Sequence, residues 1–408
     1  MTRTDLNRRR LLAAGGALGL SVGFMGGPAL ARDRGRRKLV VVLARGAMDG
    51  LSATPPVGDP DYAGLRGRIA IPADRALKLD DTFALHPALA HVHALALRGQ
   101  ARIAPATASP DRARSHFEAQ DVLESGAAVV YGTASGFLNR ALAAMPGGRG
   151  DGLSVGATAP LILRGPVQTA SWSPGAAGEG SPRLPAILAD LYAGDPLLGP
   201  ALARGLQTEA MAEAAMQGVA APLAGATGGG VQGLVRQGQG VARGIGQTVA
   251  GFMRQTAGPD IVSISVDGWD THANQGAVEG QLANRLLYLD ALLAGLHEGL
   301  GDAWADTVVV VATEFGRTAR INGTGGTDHG TGSTAFVLGG ALKPGGIIGD
   351  WPTLRPAALF EGRDTRPTLD VRGLFKGVLR DHMGVDRAAL DRDVFPDSAG
   401  VAPVGGLV

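Results

Sequence analysis

The chain has no cysteine among its 408 residues. That one absence removes disulfides, thiolate metal sites, iron–sulfur clusters and cysteine nucleophiles. Aromatic residues make up only 4%, so the core has to be built from Ala, Leu and Val. An excess of either charge is lacking as well. The formal net charge is +1, and residues 1–31 hold four Arg against one Asp, leaving the remainder near −2. With no basic surplus, nucleic acid is not an expected partner. Beyond residue 31 no apolar run approaches the roughly 20 residues that a membrane span needs. Without disulfides the chain must be held by its core, and its length is ample for one. Glycine, in contrast, is abundant at 64 residues, which points to many tight loops.

The N-terminus has a pattern of its own. Arg8-Arg9-Arg10 stands directly ahead of a small and apolar run that closes on Ala29-Leu30-Ala31. Charged, apolar and small-residue regions in that order read as a signal peptide over residues 1–31. Paired arginines name the twin-arginine translocase as the export partner. The alternative is a retained anchor, against which stand Pro28 and the many Gly and Ala of Leu11–Ala31. A periplasmic or secreted protein is expected, with no membrane span after cleavage and residues 32–408 as one domain.

Lys38–Leu43, Ile261–Val266, Thr307–Ala312 and Thr334–Leu338 are short, continuous apolar runs, the pattern of strands buried on both faces. Leu161–Leu163, after Pro160, is a weaker run of the same kind. Helical spacing lies between them, clearest in Leu282, Leu286, Leu289, Leu293 and Leu296 within Val278–Leu296. Pro87–Leu97, His116–Leu123, Gly136–Met145 and Val371–His382 also read as helices. Alternating strands and helices predict an α/β fold, a mostly parallel sheet with helices on both faces. Residues 200–257 are rich in Ala, Gly and Gln, with no convincing strand, and read as a helical insertion. Gly228–Gly233 within them fits G-x-G-x-x-G, but no strand leads into it, so the dinucleotide-binding context is missing.

Three of the strand-like runs end in polar residues, and ligands of open α/β sheets bind at the carboxyl ends of strands. Arg45 to Gly50 follows the first and includes Asp49. Asp267 to His272 follows the second and includes Asp270. Thr313 to Thr318 follows the third and includes Glu314 and Arg317. A glycine-rich loop then carries Asp328-His329. Carboxylates with imidazoles suit zinc, manganese or another hydrolytic metal. Each piece has a plainer reading: Asp49 as a turn, Asp270 as a helix cap, Glu314 and Arg317 as a surface pair. Their common address at the strand ends is the argument for a site.

These motifs carry a family resemblance. Arg45-Gly-Ala-Met-Asp-Gly-Leu51, Arg114-Ser-His-Phe-Glu-Ala-Gln-Asp121, Gly268-Trp-Asp-Thr-His-Ala-Asn-Gln275, Glu314-Phe-Gly-Arg-Thr318 and Gly326-Thr-Asp-His-Gly330 together resemble domain-of-unknown-function family 1501. The resemblance runs through Thr368–Arg372 to Val394-Phe-Pro396. It implies an alkaline phosphatase-like fold and a metal-dependent hydrolase of phosphate or related esters, acting on a small molecule or a polymer. It also implies one or two divalent ions, zinc first, held among Asp49, Asp270, His272, Glu314, Asp328 and His329. Ser115 is the matching nucleophile, and Arg45, Arg114, His116 and Arg317 are the groups around the substrate.

The sequence departs from that superfamily in three places. Asp270 and His272 are two apart rather than four. Glu314-Phe315 stands where Asp-His is common. The sulfatase signature is missing, and without Cys no formylglycine forms from that residue. Ser115-His-Phe-Glu118 also fits a capping box, and the three arginines equally suit partners for buried carboxylates. The competing reading is a non-catalytic periplasmic or cell-surface binding protein, which metal content would separate from the enzyme. A redox protein lacks its cofactor motifs.

Overall fold

Lys38–Arg45 (β1) is almost wholly apolar and buried, and it lies near the middle of an eight-stranded sheet. The computed structural model describes residues 36–147, 150–156, 160–174, 195, 202–203 and 230–408. Residues 1–31 therefore lie outside the described residues, as does most of the first part of the 200–257 stretch. Arg37–Val408 forms one compact unit.

Leu77–Lys78 (β2) and Ala84–Leu85 (β3) form a small antiparallel pair apart from the main sheet. The main sheet also contains Ala101–Ala108 (β4), Gly152–Val155 (β5), Ala170–Trp172 (β6), Ile261–Asp267 (β7), Thr307–Ala312 (β8), Ser333–Leu338 (β9) and Leu369–Asp370 (β10). Its order is β10-β4-β9-β8-β1-β7-β5-β6, and every pairing is parallel except the two made by β9. The sheet is thus the mostly parallel one expected. β9 runs the other way because no crossover helix links it to β8. The connecting loop leaves and re-enters at the same edge, so Glu314 and His329 both sit at the carboxyl rim.

Alternate strand residues serve opposite faces. Val40, Val42, Val262, Ile264, Val309 and Val311 pack under the helices Ala90–Leu97, Gly230–Arg254 and Gln281–Leu300. Leu39, Val41, Leu43, Val308 and Val310 pack under Phe137–Ala144 and Val371–Asp381. The insertion read at 200–257 ends in Gly230–Arg254, whose Val249 and Phe252 belong to the first core, so this part of it covers the sheet directly. It lies close along Gln281–Leu300. A Cβ on Gly246 would stand 2.2 Å from the Leu292 carbonyl oxygen, and one on Gly295 would stand 2.1 Å from that of Arg243. Glycine at the contact lets the two backbones meet.

One strand expectation is corrected. Leu161–Leu163 is a single 3-10 turn, entered from Pro160, with Ile162 and Leu163 buried. β4 carries Pro105 inside it. The ladder to β9 shifts between Ala104 and Thr107, and Ala106 takes φ 55° there. A bulge of this kind is where a strand tolerates proline.

Candidate metal centre

The rim is assembled by backbone contact before any side chain acts. Gly46 has φ 117°, and a Cβ there would lie 2.9 Å from the backbone nitrogens of Trp269 and Asp270. The loop after β1 therefore rests on the loop after β7. Glu314, buried at the end of β8, ties the same loop down. Its Oε1 accepts from the Gly46 and Ala47 amides at 2.7 and 3.1 Å. Burial opposes the charge on Glu314, but its hydrogen bonds, led by His116, hold the carboxyl below its ordinary range.

His116, Asp270 and His329 place one ligand-type atom each within 4.8 Å of one another. His116 enters from the first turn of the helix His116–Ser125, and its Nδ1 donates to Glu314 Oε1 at 2.9 Å. His329 Nδ1 donates to the Arg114 carbonyl at 2.8 Å. His272 Nδ1 donates to Asp328 Oδ1 at 3.3 Å. Each imidazole is thus held by one nitrogen, which leaves Nε2 of the neutral ring as a bare lone pair.

Those lone pairs converge. His272 Nε2 lies 3.1 Å from His329 Nε2 and 3.0 Å from Asp270 Oδ1. His329 Nε2 is 3.3 Å from Asp270 Oδ1, and His116 Nε2 is 3.4 Å from Asp270 Oδ2. His116 Nε2 is buried and has no hydrogen-bond partner. Acceptors facing acceptors demand a positive charge between them, a proton or a cation. Burial pushes the His329 imidazole down, toward the neutral form that binds metals. The hydrogen bond to Glu314 pulls His116 up instead, which answers the same demand with a proton. Imidazoles whose other nitrogen is tied to a carboxylate or carbonyl are the usual metal-ligand arrangement. The residues therefore fit a divalent ion such as zinc.

Residues 36–394 match the family described as Protein of unknown function (DUF1501). The chain belongs to this family. No curated protein sequence matches it. Among solved structures it is similar to the C-terminal periplasmic domain of EptC from Escherichia coli, a complex with zinc. Identity there is 10% over 75% of this chain and 73% of that one, with TM-score 0.35. A protein in the alkaline phosphatase superfamily from Vibrio parahaemolyticus shares 12% identity over 78% of this chain and 63% of that one, with TM-score 0.34. A phosphonate monoester hydrolase of Agrobacterium radiobacter shares 13% over 86% and 74%, with TM-score 0.37.

Within this family member the remaining expected residues are placed as follows. Asp49 lies away from the imidazoles, buried and ion-paired with Arg66. Asp328 stays more than half exposed, beside His272 and Asn322. Each of the three arginines meets carboxylates: Arg45 meets Glu124 at 3.1 Å, Arg114 meets Asp364 and Glu361, and Arg317 meets Asp270 at 2.6 Å. Burial works against the Asp270 charge, yet Arg317 holds its carboxyl below the ordinary range. Ser115 starts the helix His116–Ser125, but its side chain makes no cap hydrogen bond, so the capping-box bond from Ser115 is not formed. Phe315 stacks on His116, ring centres 4.9 Å apart, and gives the site an apolar wall.

Sequence reasoning missed Arg66 and Gln275. Arg66 lies in the short helix Tyr62–Arg66, which has no chemical signature of its own. Gln275 closes the Gly268–Gln275 motif. Its Oε1 accepts from Thr271 at 2.8 Å and Thr327 at 3.0 Å, and its Nε2 donates to Asp49 at 2.7 Å. That joins three site loops at one amide.

Proposed function

We propose that the protein is an exported, metal-dependent hydrolase of phosphate or related esters. The observation that carries the reading is the convergence of the Nε2 atoms of His116, His272 and His329 on the Asp270 carboxylate, from the end of β7, the start of the helix His116–Ser125 and the loop that leads into β9. His116, Asp270 and His329 would hold the ion, with His272 as a further ligand from the outer side. Zinc bound there would polarise the ester oxygen and offset charge developing on it.

The chain's own groups supply the rest. Arg317, 1% exposed, meets Asp270 from below and fixes the direction of that carboxylate. Glu314 and the Arg114 carbonyl fix the two imidazoles. Ser115 is the nucleophile in this reading. It stands next to His116 at a helix N-terminus, where backbone amides favour an anion, and its hydroxyl is not used as a cap. Phe315 helps keep water from the far side of His116.

The test uses protein loaded with zinc and an activated phosphate ester. Wild type should turn the ester over. Ser115→Ala should retain its metal and lose turnover, because alanine has no hydroxyl to attack with. A zinc-loaded wild type inert toward phosphate, phosphonate and sulfate esters would leave a metal-binding protein of the competing, non-catalytic kind. Export is tested separately: with Lys at positions 8, 9 and 10 the precursor should stay in the cytoplasm, and unchanged export would point to another route.

A further inference from the structure

We infer that the centre holds a single divalent cation, and that the guanidinium of Arg66 stands permanently where a second cation would meet Asp49. The inference rests on the metal reading above and goes beyond it by fixing the number of ions.

Two-metal hydrolytic centres set their ions about 3.5–4 Å apart and need acids beyond those of the first ion. The acids that follow β1 and β8 are Asp49 and Glu314. Every oxygen of both already faces a protein partner. Asp49 is 1% exposed and Arg66 is wholly buried. Asp49 Oδ1 accepts from the Leu51 amide at 3.2 Å. Its Oδ2 accepts from Ser52 Oγ at 2.9 Å and Gln275 Nε2 at 2.7 Å, and it is ion-paired with Arg66 Nη2. Arg66 is anchored in turn: Nη1 donates to the Thr318 carbonyl at 3.2 Å and Nη2 to Ser52 Oγ at 2.8 Å. A second metal ion at Asp49 would meet a fixed positive charge already in place. Moving Arg66 aside would strand a buried guanidinium without its counter-charge.

Glu314 is engaged chiefly through one oxygen. Its Oε1 accepts from Gly46, Ala47, His116 and Gln120, and its Oε2 lies 2.9 Å from Thr313 Oγ1. Recruiting it as a ligand would release both the loop after β1 and the imidazole of His116. Of the acids in the sequence motifs Asp328 is left, but it stands on the Nδ1 side of His272, away from the converging Nε2 atoms. One exposed carboxylate does not make a second site. Among the described residues the His116, Asp270 and His329 group is the one such cluster.

The experiment counts ions on the full chain, freed of metal and then titrated with zinc and, separately, with cobalt(II). Calorimetry and elemental analysis should give one ion per chain, and cobalt(II) should show an uncoupled high-spin signal. Asp49→Asn should keep that count of one while unfolding at a lower temperature, since buried Arg66 loses its partner. Two ions in the wild type, a spin-coupled cobalt pair, or loss of the ion from folded Asp49→Asn would each overturn the inference. If Asp49→Asn does not fold, the wild-type count and the cobalt spectrum decide. A wild type that binds no ion overturns the metal reading, and this inference with it, so the two failures are told apart.

Discussion

The interior of the sheet and the rim at its carboxyl ends grow from the same three strands and obey opposite rules. In the interior β1 gives Val40 and Val42 to one face and Leu39 and Val41 to the other, all wholly buried, and β7 and β8 do likewise. Apolar contact there is non-directional and nearly additive. At its carboxyl end each strand enters polar ground, where position is set by single hydrogen bonds. Glu314 clamps amides, Gln275 joins loops, and three imidazoles each spend one nitrogen on orientation. The rim keeps His116 Nε2 buried without a hydrogen-bond partner, beside a carboxylate and two further imidazoles. Stability is therefore stored in one region and binding capacity in the other.

Crossing one substitution from each region sharpens that division most. His329→Ala should weaken zinc binding by roughly 100-fold or more, since loss of even an outer partner of a ligand costs 10–100-fold. Its cost to metal-free stability should be about 1 kcal/mol or less, the worth of one hydrogen bond. Leu289→Ala, at a wholly buried position of the helix Gln281–Leu300, should cost about 2–5 kcal/mol. Its folded population should bind zinc as the wild type does. Calorimetry beside denaturant unfolding measures both. Weakened zinc binding in folded Leu289→Ala would show that the interior and the rim are coupled.

The same division explains what could be read from the sequence. Interior elements announce themselves by pattern: Thr307–Ala312 is β8 residue for residue, and the leucine stripe of Val278–Leu296 lies inside Gln281–Leu300. A strand such as β4, with Pro105 inside it, announces itself less plainly. Rim residues announce only their address. Motif and strand end put Asp270, His272, Glu314 and His329 at one edge, and the structure brings them there together with His116. It was not legible that Asp49 would be held by Arg66, seventeen residues away on an unremarkable helix. Nor was it legible that Glu314 would face amides, because neither partner follows any period. Which lone pair remains open is decided by three-dimensional neighbours alone.

The interior has polar groups of its own, and pH exposes two of them. Asp290, on the helix Gln281–Leu300, accepts from the His91 and Val92 amides at 3.0 Å. Burial pushes its carboxyl up to about 6. Burial, followed by the nearby His297, pushes the His91 imidazole down to about 4. The signs oppose. Raised Asp290 destabilises the fold above pH 6, and that cost disappears as pH falls toward 4. Depressed His91 costs nothing above pH 6.5, and its cost grows as pH falls to 4. Each displacement is worth about 2–3 kcal/mol after allowance for solvent screening, so in the wild type they nearly cancel. His91→Gln removes one side. Its stability relative to wild type should rise by about 2–3 kcal/mol between pH 7 and pH 4, measured as a difference of denaturant midpoints. A difference that stays constant with pH would show that His91 charges freely in the fold.

The smallest effect belongs to the outer surface of the same helices. Arg243 Nη1 lies 2.5 Å from both carboxylate oxygens of Glu298, and the two side chains are 48% and 45% exposed. The pair bridges Gly230–Arg254 and Gln281–Leu300, so it is tempting to credit it with holding them together. Exposed ion pairs contribute only about 0.2–1 kcal/mol, because water already solvates both charges and two long side chains lose freedom in meeting. The helices are in any case brought together by backbone approach at Gly246 and Gly295 and by Val249 and Phe252 against the core. Glu298→Gln should therefore lower stability by less than 1 kcal/mol at low ionic strength. The loss should vanish in about 1 M salt, where screening acts within about 3 Å. A salt-insensitive loss above 2 kcal/mol would mean that this face depends on a directed contact, and the contrast between interior and rim would no longer hold.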